Sequence, residues 1–556
     1  MPQGRQQREG TVNDKHWLSG YGGRIPAEIN PDAYGSVLEL LESAMKRYAE
    51  RPAFRCFGQT LSFADTDRLS RDFAAYLQGR LGVRQGDRVA VMLPNLPAFP
   101  IAMLGIMRAG AIQVNVNPLY MPRELEHQLT DAGVKVIVVF NGVSGTLAEI
   151  IAHTEITQVI SVGLADGTKA ALQSPPVDAR LANAVAFPDC LAAGADLALT
   201  PVSLRGDDLL FLQYTGGTTG LSKGAALSHR NLIANTEQFK AFTPDAVRPA
   251  EEIIVTALPL YHIFALMVNF ITYYSIGAEN WLVPNARDLN SLIAILKGAR
   301  CTVFTGVNTL FGGLLAHPGI GEVDFSRLRV AIGGGAAVLP VTSEKWKALT
   351  GKDILEGYGL SETSPILTLN PMATNGFSGT VGLPLPSTDI RLLDDDGKVV
   401  ALGEPGEICA KGPQVMQGYW QKPDANAAAF TADGYFRTGD VGVFDERGFL
   451  KIVDRKKDMI IVSGFNVYPN EVEAVAAACG GVLECACVGR PDERTGEAIR
   501  LFVSKAPGAA LTEAEIIAHC RRELTAYKVP REVRFLDALP KSNVGKILRK
   551  DLRSLA

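Results

Sequence analysis

A chain of 556 residues is too long to fold around one ordinary hydrophobic core, so two or more domains are expected. Hydrophobic residues make up 47% of the chain and charged residues 21%, values that exclude the disordered and fibrous classes. The formal net charge is -4, with 55 Lys plus Arg against 59 Asp plus Glu, which excludes a global basic field for nucleic acid. Any anion site must therefore be local.

The hydropathy pattern predicts neither a signal peptide nor a transmembrane helix. Residues 1–15 lack the apolar run of a signal peptide, so we predict a disordered extension there. The most apolar region, residues 253–284, is interrupted by polar side chains before it reaches about 18 apolar residues, so no transmembrane helix is predicted. A cytoplasmic protein is therefore expected, and peripheral membrane contact and oligomer formation stay open.

The eight cysteines are scattered without a repeated metal-ligand spacing, which favours reduced thiols over a metal centre. Cys485 and Cys487 stand closest together, in the apolar stretch ECACVG. Alternation in this stretch predicts a strand with both sulfur atoms on one face. We therefore expect a structural role for this pair.

Alternating strands and helices predict an α/β fold with a parallel sheet. From residue 88 the sequence indicates a strand (RVAVML), a helix at 101–109, a strand (AIQVNV), a helix after Pro122 and a strand (VKVIVVF), a βαβαβ pattern. Residues 164–206 show no sustained periodicity and are interpreted as irregular connection or short elements. The prediction is a large N-terminal domain, residues 16–453, built from parallel-sheet βαβ subdomains.

The sequence pattern changes from residue 449 onward. Short strands (FLKIV, MIIVS, AIRLFVS) alternate with a helix opened by Pro469 and another opened by a capping box of Thr512 and Glu515 that runs to Leu524. These elements predict a small C-terminal α+β domain, residues 459–556. The charged run DRKKD, residues 454–458, is suited to an exposed linker between the two domains.

The strongest chemical signal is QYTGGTTGLSKGA, residues 213–225, where a strand end meets glycines, hydroxyls and a lysine. Glycines let backbone N–H groups approach an anion, and Lys223 adds a compact positive charge. Lys223 follows Ser222 and precedes Gly224, an order that excludes the Walker A loop. The loop instead resembles the phosphate loop of the adenylate-forming superfamily, which contains acyl-CoA synthetases, luciferases and the adenylation domains of peptide synthetases.

Two further blocks carry the same resemblance. EGYGLSETSP, residues 356–365, is similar to the second signature of the superfamily, in which Glu362 would coordinate Mg²⁺ with Thr215 and Tyr358 would stack on adenine. Residues 433–473, from DGYFRTGD to NVYPNEVE, resemble the fatty acyl-CoA synthetase signature. In this block Asp440 can accept both ribose hydroxyls, and Arg455 can donate to ribose or phosphate.

The last block, PKSNVGKILRKDL, places Lys546 in a turn near the C-terminus. A carboxylate that attacks the α-phosphate needs a cation at the transition state, and Lys546 is the best single catalytic candidate. His262, in the apolar stretch TALPLYHIFAL, is interpreted as lining the substrate entrance. The blocks follow the order and spacing of the superfamily from about Trp17 onward and are most like those of bacterial long-chain fatty acid CoA ligases.

The resemblance implies ATP-dependent formation of an acyl-adenylate, followed by transfer to CoA, with Mg²⁺, ATP, CoA and a fatty acid as the small molecules bound. It implies that catalysis depends on Lys546, Glu362 and Lys223, that Gly334 and His262 contact the acid, that Gly464 contacts CoA and that the hinge is at Lys457. The implied ATP-binding residues are Thr215, Gly216, Gly217, Thr218, Thr219, Gly220, Lys223, Gly334, Gly335, Ala336, Tyr358, Gly359, Asp440 and Arg455.

Three alternatives stay open at this stage. A medium-chain or aryl-acid CoA ligase differs only in pocket depth, which spacing does not reveal. A fatty acyl-AMP ligase would feed a carrier protein, although the stretch FNVYPNEVE favours CoA. A non-catalytic nucleotide or acyl sensor would have no need of a transition-state cation such as Lys546, so this reading is disfavoured.

Overall fold

The computed structural model describes residues 15–215, 222–463, 465–542 and 545–555. The strands are β1 (Pro52–Cys56), β2 (Gln59–Ser62), β3 (Arg88–Met92), β4 (Ile112–Asn115), β5 (Val136–Phe140), β6 (Gln158–Val162), β7 (Val185–Ala186), β8 (Leu209–Thr215), β9 (Lys223–Ser228), β10 (Ile253–Thr256), β11 (Glu279–Leu282), β12 (Val303–Gly306), β13 (Val330–Gly333), β14 (Ile354–Gly359), β15 (Ile366–Leu369), β16 (Leu383–Pro384), β17 (Asp389–Leu393), β18 (Gly406–Lys411), β19 (Gly418–Tyr419), β20 (Phe436–Phe444), β21 (Leu450–Arg455), β22 (Ile460–Val462), β23 (Phe465–Val467), β24 (Val482–Asp492), β25 (Gly496–Lys505) and β26 (Glu532–Phe535).

The α-helices lie between and around these strands. They are α1 (Val37–Arg47), α2 (Phe63–Gly79), α3 (Ala98–Arg108), α4 (Pro122–Ala132), α5 (Ser144–Ile150), α6 (Phe187–Ala195), α7 (His229–Phe242), α8 (Tyr273–Ser275), α9 (Leu289–Ala299), α10 (Asn308–Ala316), α11 (Pro340–Thr350), α12 (Pro423–Ala429), α13 (Pro469–Ala477), α14 (Glu513–Glu523) and α15 (Arg549–Ser554). None of the helices among the described residues is long and apolar enough to cross a membrane.

Two large sheets are parallel over most of their width. One has the order β19-β9-β8-β4-β3-β5-β6-β7 and the other the order β16-β15-β14-β13-β12-β10-β11-β1-β2. Strands β3 to β5 are buried almost throughout, as expected where helices cover both faces of a sheet. The predicted βαβαβ unit is confirmed, with its first helix beginning at Ala98 rather than at residue 101.

Two smaller sheets complete the fold. Strands β17, β18, β20 and β21 form an antiparallel sheet, and β22 to β26 form a five-stranded sheet with its own apolar core. The predicted capping box at Thr512 and Glu515 is present, and it opens α14. Cys485 and Cys487 both face the core of the last sheet, as the alternation predicted. A mixed α/β fold with a larger parallel-sheet part and a smaller C-terminal part is therefore confirmed.

The charged run 454–458 is less exposed than the sequence predicted. Its first two residues end β21, and residues 456–458 form a turn. Asp454 and Asp458 are buried because Arg549 and Arg553, from the far C-terminus, reach their carboxylates. The prediction of an exposed run was wrong for these two aspartates, since the pairing depends on residues about a hundred positions away.

The stretch 164–206, interpreted from the sequence as irregular connection or short elements, contains the helix α6. This helix packs against α2 through Gly194, where an added Cβ would lie 1.9 Å from the carbonyl oxygen of Asp72. Gly312 in α10 offers a matched comparison, because no atom of the described residues lies within 4 Å of a Cβ built there.

We expect Gly194→Ala to lower the melting temperature, because an unrelieved backbone overlap costs about 1–3 kcal/mol. Gly312→Ala should hold or raise the melting temperature, since alanine is favoured over glycine in a helix by about 0.8–1.0 kcal/mol. Differential scanning calorimetry of the two variants measures the contrast. Equal melting temperatures would show that α6 shifts against α2 without cost.

Candidate active site

The hairpin of β8 and β9 brackets the predicted phosphate loop. Thr215, the last residue of β8, pairs with Lys223, the first residue of β9, in antiparallel register. Ser222, just before β9, receives a hydrogen bond at its carbonyl oxygen from Nε2 of His127 at 2.8 Å. The remaining loop positions predicted to bind ATP lie outside the described residues: Gly216, Gly217, Thr218, Thr219 and Gly220.

Tyr419 joins Lys223 to Glu362. Strand β19, which carries Tyr419, adds to the edge of the eight-stranded sheet beside β9. The Nζ of Lys223 lies 5.1 Å from the centre of the Tyr419 ring, and the Tyr419 hydroxyl donates to Oε1 of Glu362 at 2.8 Å. The ring therefore faces a cation while its hydroxyl holds a carboxylate.

Glu362 is buried, with a relative exposure of 7%. Burial raises the pKa of its carboxyl group above the ordinary value, and the hydrogen bond from Tyr419 opposes this shift. A carboxylate in this position is stabilised by a nearby cation. The short turn Ser361–Thr363 that carries it packs against both β8 and β9, so Glu362 lies close to the phosphate hairpin.

A close backbone approach sets the turn that presents Glu362. At Gly359 an added Cβ would lie 1.8 Å from the carbonyl oxygen of Pro365, and the N–H of Leu360 donates to that same oxygen at 3.0 Å. The N–H of Met416 donates to the carbonyl oxygen of Glu362 at 2.8 Å. A side chain at residue 359 would therefore displace the strand that follows the turn.

Tyr358, Asp440 and Arg455 form a second cluster. The Tyr358 hydroxyl donates to Oδ2 of Asp440 at 2.6 Å, and Nε of Arg455 lies 3.3 Å from Oδ1. Asp440 on β20 and Arg455 on β21 are direct partners across the four-stranded sheet. The two oxygens of the Asp440 carboxylate therefore have different partners. Tyr358 comes from the nine-stranded sheet and Arg455 from the four-stranded sheet.

The turn after β13 brings Gly334, Gly335 and Ala336 to the same edge of the nine-stranded sheet as Tyr358. Gly335 has a φ of +75°, a conformation that favours glycine. A Cβ at Gly334 would lie 3.1 Å from the ring of Phe264. Beneath the turn, the N–H of Val338 donates to the buried Glu356. Glycine at residue 334 therefore lets the turn pack closely on the ring of Phe264.

Lys546 reaches this region from the end of the chain. Its turn contacts α10, where the Thr309 hydroxyl donates to the carbonyl oxygen of Gly545 at 3.3 Å. The N–H of Lys546 donates to Oγ of Ser542 at 3.1 Å. Burial lowers the pKa of the Lys546 ammonium to about 8, and the nearby charge of Arg455 adds to the shift. The charges of Arg455 and Asp440, both in the second cluster, act on this ammonium in opposite directions.

His262 is within range of the charge of this lysine. Burial, together with a smaller effect of the Lys546 charge, lowers the pKa of its imidazole to about 4. The N–H of Phe264 donates to Nδ1 of His262 at 3.4 Å, which identifies this nitrogen as the acceptor. The π-helix Ala265–Thr272 follows at once, and every residue in it is buried. Wide helical turns of this kind occur frequently at functional sites.

The two remaining predicted residues belong to the C-terminal part of the chain. Lys457 lies in the turn after β21, where the N–H of Lys456 donates to the carbonyl oxygen of Gly439 at 3.0 Å. Gly464, predicted to contact CoA, lies outside the described residues.

Four sheets thus contribute to one region. Lys223 and Thr215 come from the eight-stranded sheet, and Glu362 lies between β14 and β15 of the nine-stranded sheet. Asp440 and Arg455 come from the four-stranded sheet, and Lys546 follows the last sheet. No group of three or more His, Cys, Asp and Glu within the described ranges forms a metal cage. One carboxylate with a hydroxyl does fit Mg²⁺, which binds through one or two carboxylates together with substrate phosphates.

Two family models match the chain. One, described as AMP-binding enzyme, matches residues 41–420, and the other, described as AMP-binding enzyme C-terminal domain, matches residues 471–546. The chain belongs to the family of AMP-binding enzymes. The resemblance seen in the sequence is therefore confirmed at the level of the family, and the second match ends on Lys546.

This AMP-binding enzyme is similar to proteins along almost its whole length. A long-chain-fatty-acid–CoA ligase of Yersinia pestis is 49% identical over 551 residues, which cover 97% of this chain and 98% of the relative. The anthranilate CoA ligase AuaEII with anthranoyl-AMP aligns with a TM-score of 0.84 at 25% identity, covering 96% and 98% of the chains. ATP-bound MatB of Rhodopseudomonas palustris gives 0.81 at 30% identity, covering 93% and 98%.

Two residues of the AMP-binding enzyme's site were missed in the sequence. His127 and Tyr419 hold the hairpin and Glu362, yet neither carries a local signal. His127 lies on α4, 95 positions from Ser222 in the sequence, and Tyr419 is 57 positions from Glu362. Their contacts arise from the pairing of distant strands and helices, which single-sequence patterns do not contain.

We expect Gly359→Ala to weaken AMP binding by at least about tenfold, because the displaced turn moves Glu362 and Tyr358. Isothermal titration calorimetry with AMP measures the effect, and Gly312→Ala serves as the control with wild-type affinity. A melting temperature near that of the wild type shows that the variant is folded. Unchanged AMP affinity in a folded variant would separate this turn from the nucleotide site.

Proposed function

We propose that this AMP-binding enzyme is a long-chain fatty acid CoA ligase that consumes ATP and releases AMP and pyrophosphate. The observation that carries the proposal is the convergence of Lys223, Glu362 and Lys546 from three separate sheets in one region. Relatives that bear the name long-chain-fatty-acid–CoA ligase at 44–49% identity over nearly the full chain support the choice of substrate. CoA, ATP and a fatty acid are then the substrates.

In the first half-reaction the fatty acid carboxylate attacks the α-phosphorus of ATP, forming acyl-adenylate and releasing pyrophosphate. Both reactants are anions, so the ammonium of Lys546 lowers their repulsion and stabilises the transition state. Lys223 and the loop that precedes it bind phosphate oxygens. Thr215 and Glu362 would hold Mg²⁺, which supplies charge neutralisation at the phosphates when bound.

The nucleoside is held by the second cluster. Tyr358 would stack on adenine, with the backbone of Gly334, Gly335 and Ala336 along the edge of the base. Asp440 accepts from the ribose hydroxyls, and Arg455 donates to ribose or phosphate. The hydrogen bond from Tyr358 to Asp440 at 2.6 Å and the contact with Arg455 at 3.3 Å support a preorganised carboxylate.

The acid enters beside His262. A pKa of about 4 makes this imidazole neutral near pH 7, so it does not compete with Lys546 for the carboxylate. The apolar side chains of the following π-helix support an aliphatic tail as the occupant. Gly334, which packs against the ring of Phe264, would contact the carboxylate end of the acid through its backbone.

For the second half-reaction we propose a division into residues 16–453 and 459–556, with a hinge at Lys457 in the linker 454–458. Rotation about this hinge withdraws Lys546 and brings Gly464 toward the acyl-adenylate, where backbone without a side chain admits the pantetheine arm. The CoA thiol then attacks the acyl carbonyl, and AMP leaves. The separate apolar core of the last sheet supports its movement as one body.

The test of the proposed function is the exchange of labelled pyrophosphate into ATP with acids of about four to about eighteen carbons and with benzoate. We expect kcat/KM to rise with chain length, because each buried methylene contributes about 0.8 kcal/mol. Mass spectrometry with CoA and an acyl carrier protein offered together should show only acyl-CoA. Exchange with benzoate but with no fatty acid would favour an aryl-acid ligase. Acylation of the carrier protein would favour an acyl-AMP ligase. Absence of exchange with every acid would favour a non-catalytic sensor.

A second prediction concerns pH. Since Lys546 acts as the ammonium ion and its pKa is about 8, kcat/KM for ATP in the exchange reaction should fall about tenfold per pH unit above that value. Lys546→Arg should move this alkaline fall of kcat/KM to higher pH, because a guanidinium stays charged. Lys546→Ala should lower exchange by about a hundredfold or more yet spare thioester formation from synthetic acyl-adenylate. If the fall of kcat/KM occurs at the same pH in Lys546→Arg, the titrating group is not Lys546.

A further inference from the structure

A single arginine bridges the two sides of the linker. Nη1 of Arg549 lies 3.1 Å from Oδ1 of Asp454 and 3.5 Å from Oδ2 of Asp458. Its Nε and Nη2 donate to both oxygens of Glu473 at 3.0 and 2.8 Å, and Nη2 also donates to Oδ1 of Asn470 at 2.5 Å. Every nitrogen of the guanidinium therefore has an acceptor.

The acceptors belong to two different bodies of structure. Asp454 is on β21, within the four-stranded sheet that also carries Asp440 and Arg455. Glu473 and Asn470 are on α13, which packs on the five-stranded sheet. Asn470 reinforces the same junction, because its N–H donates to Oδ2 of Asp454 at 2.8 Å. The junction thus joins the part before Lys457 to the part after it.

The pairing is enforced by burial. The side chain of Asp454 has a relative exposure of 0% and that of Arg549 one of 16%. Burial acts to raise the pKa of Asp454, and the charge of Arg549 opposes that shift. A carboxylate in this position would be strongly unfavourable without its partner, since buried charges require pairing. Arg553 pairs with Asp458 at 2.7 Å and extends the junction.

Arg549 also lies three residues after Lys546. The segment between them is tied back, because the N–H of Leu548 donates to the carbonyl oxygen of Pro540 at 2.8 Å. A shift of Arg549 is therefore transmitted to the turn that carries the lysine. The junction and the contact of Gly545 with Thr309 restrain the same segment at its two ends.

We propose that Arg549 is a positioning residue that, by bridging Asp454 to Glu473, holds the C-terminal part in the orientation that delivers Lys546 for adenylation. The inference rests on the proposed function, since it concerns one of its two half-reactions. Rotation about Lys457 separates β21 from α13, so the pair with Asp454 must open before CoA is acylated. Arg549 thus favours the first half-reaction and opposes departure to the second.

The test compares Arg549→Met and Asp454→Asn with Arg500→Met. Arg500 is a matched control, because it is buried and pairs with Glu532 at 2.8 Å wholly within the five-stranded sheet. Each variant is assayed for pyrophosphate exchange with a long-chain acid, for thioester formation from synthetic acyl-adenylate, for tryptic cleavage at Lys456 and Lys457, and for melting temperature.

We expect exchange to fall about tenfold or more in Arg549→Met and Asp454→Asn, with thioester formation within about twofold of the wild type or faster. Cleavage at the linker should be faster in both than in Arg500→Met. The double variant should lose no more exchange than Arg549→Met alone, because the residues act as a pair.

Unchanged exchange in Arg549→Met, an equal loss of both half-reactions, or the same pattern in Arg500→Met would overturn the inference. Additive losses in the double variant would overturn it as well. Failure of the proposed function itself is recognised separately, since the wild-type protein would then show no exchange with any fatty acid.

Discussion

The central constraint on the site is the burial of Lys546, a cation from the end of the chain, near the charges of Arg455 and Asp440. Burial beside Arg455 lowers the pKa of its ammonium to about 8, so the approach has a free-energy cost that other contacts must offset. Asp440 opposes the shift, and the docking of Gly545 on Thr309 fixes the turn.

Neighbouring groups also determine the chemistry of the carboxylates in this region. Glu362 is buried with one hydrogen bond from Tyr419, whereas Asp440 has a partner for each oxygen. The first arrangement leaves a carboxylate suited to a cation brought in with substrate, and the second leaves one suited to neutral hydroxyls. Two acids of the same region thus differ in chemistry because their neighbours differ.

Sequence patterns predicted the secondary-structure elements better than the contacts between them. Period and apolar runs identified β3 to β5 and the capping box at Thr512, because these features are local. The family blocks named Lys223, Glu362, Asp440 and Lys546. The structure joins the first two through Tyr419 and pairs Asp440 with Arg455, whereas the roles of all four stay predictions. Patterns did not identify Tyr419 or the burial of Asp454, because each depends on a partner 57 or more positions away. Long-range pairing is decided by the whole fold.

Strand β19 has a consequence for how the chain is made. It completes the edge of the eight-stranded sheet beside β9, although about 190 residues separate the two strands in the sequence. During synthesis β9 therefore emerges long before its neighbour and presents unpaired N–H and C=O groups, as any open sheet edge does. The edge of β9 that faces away from β8 therefore stays unpaired until Tyr419 has been synthesised.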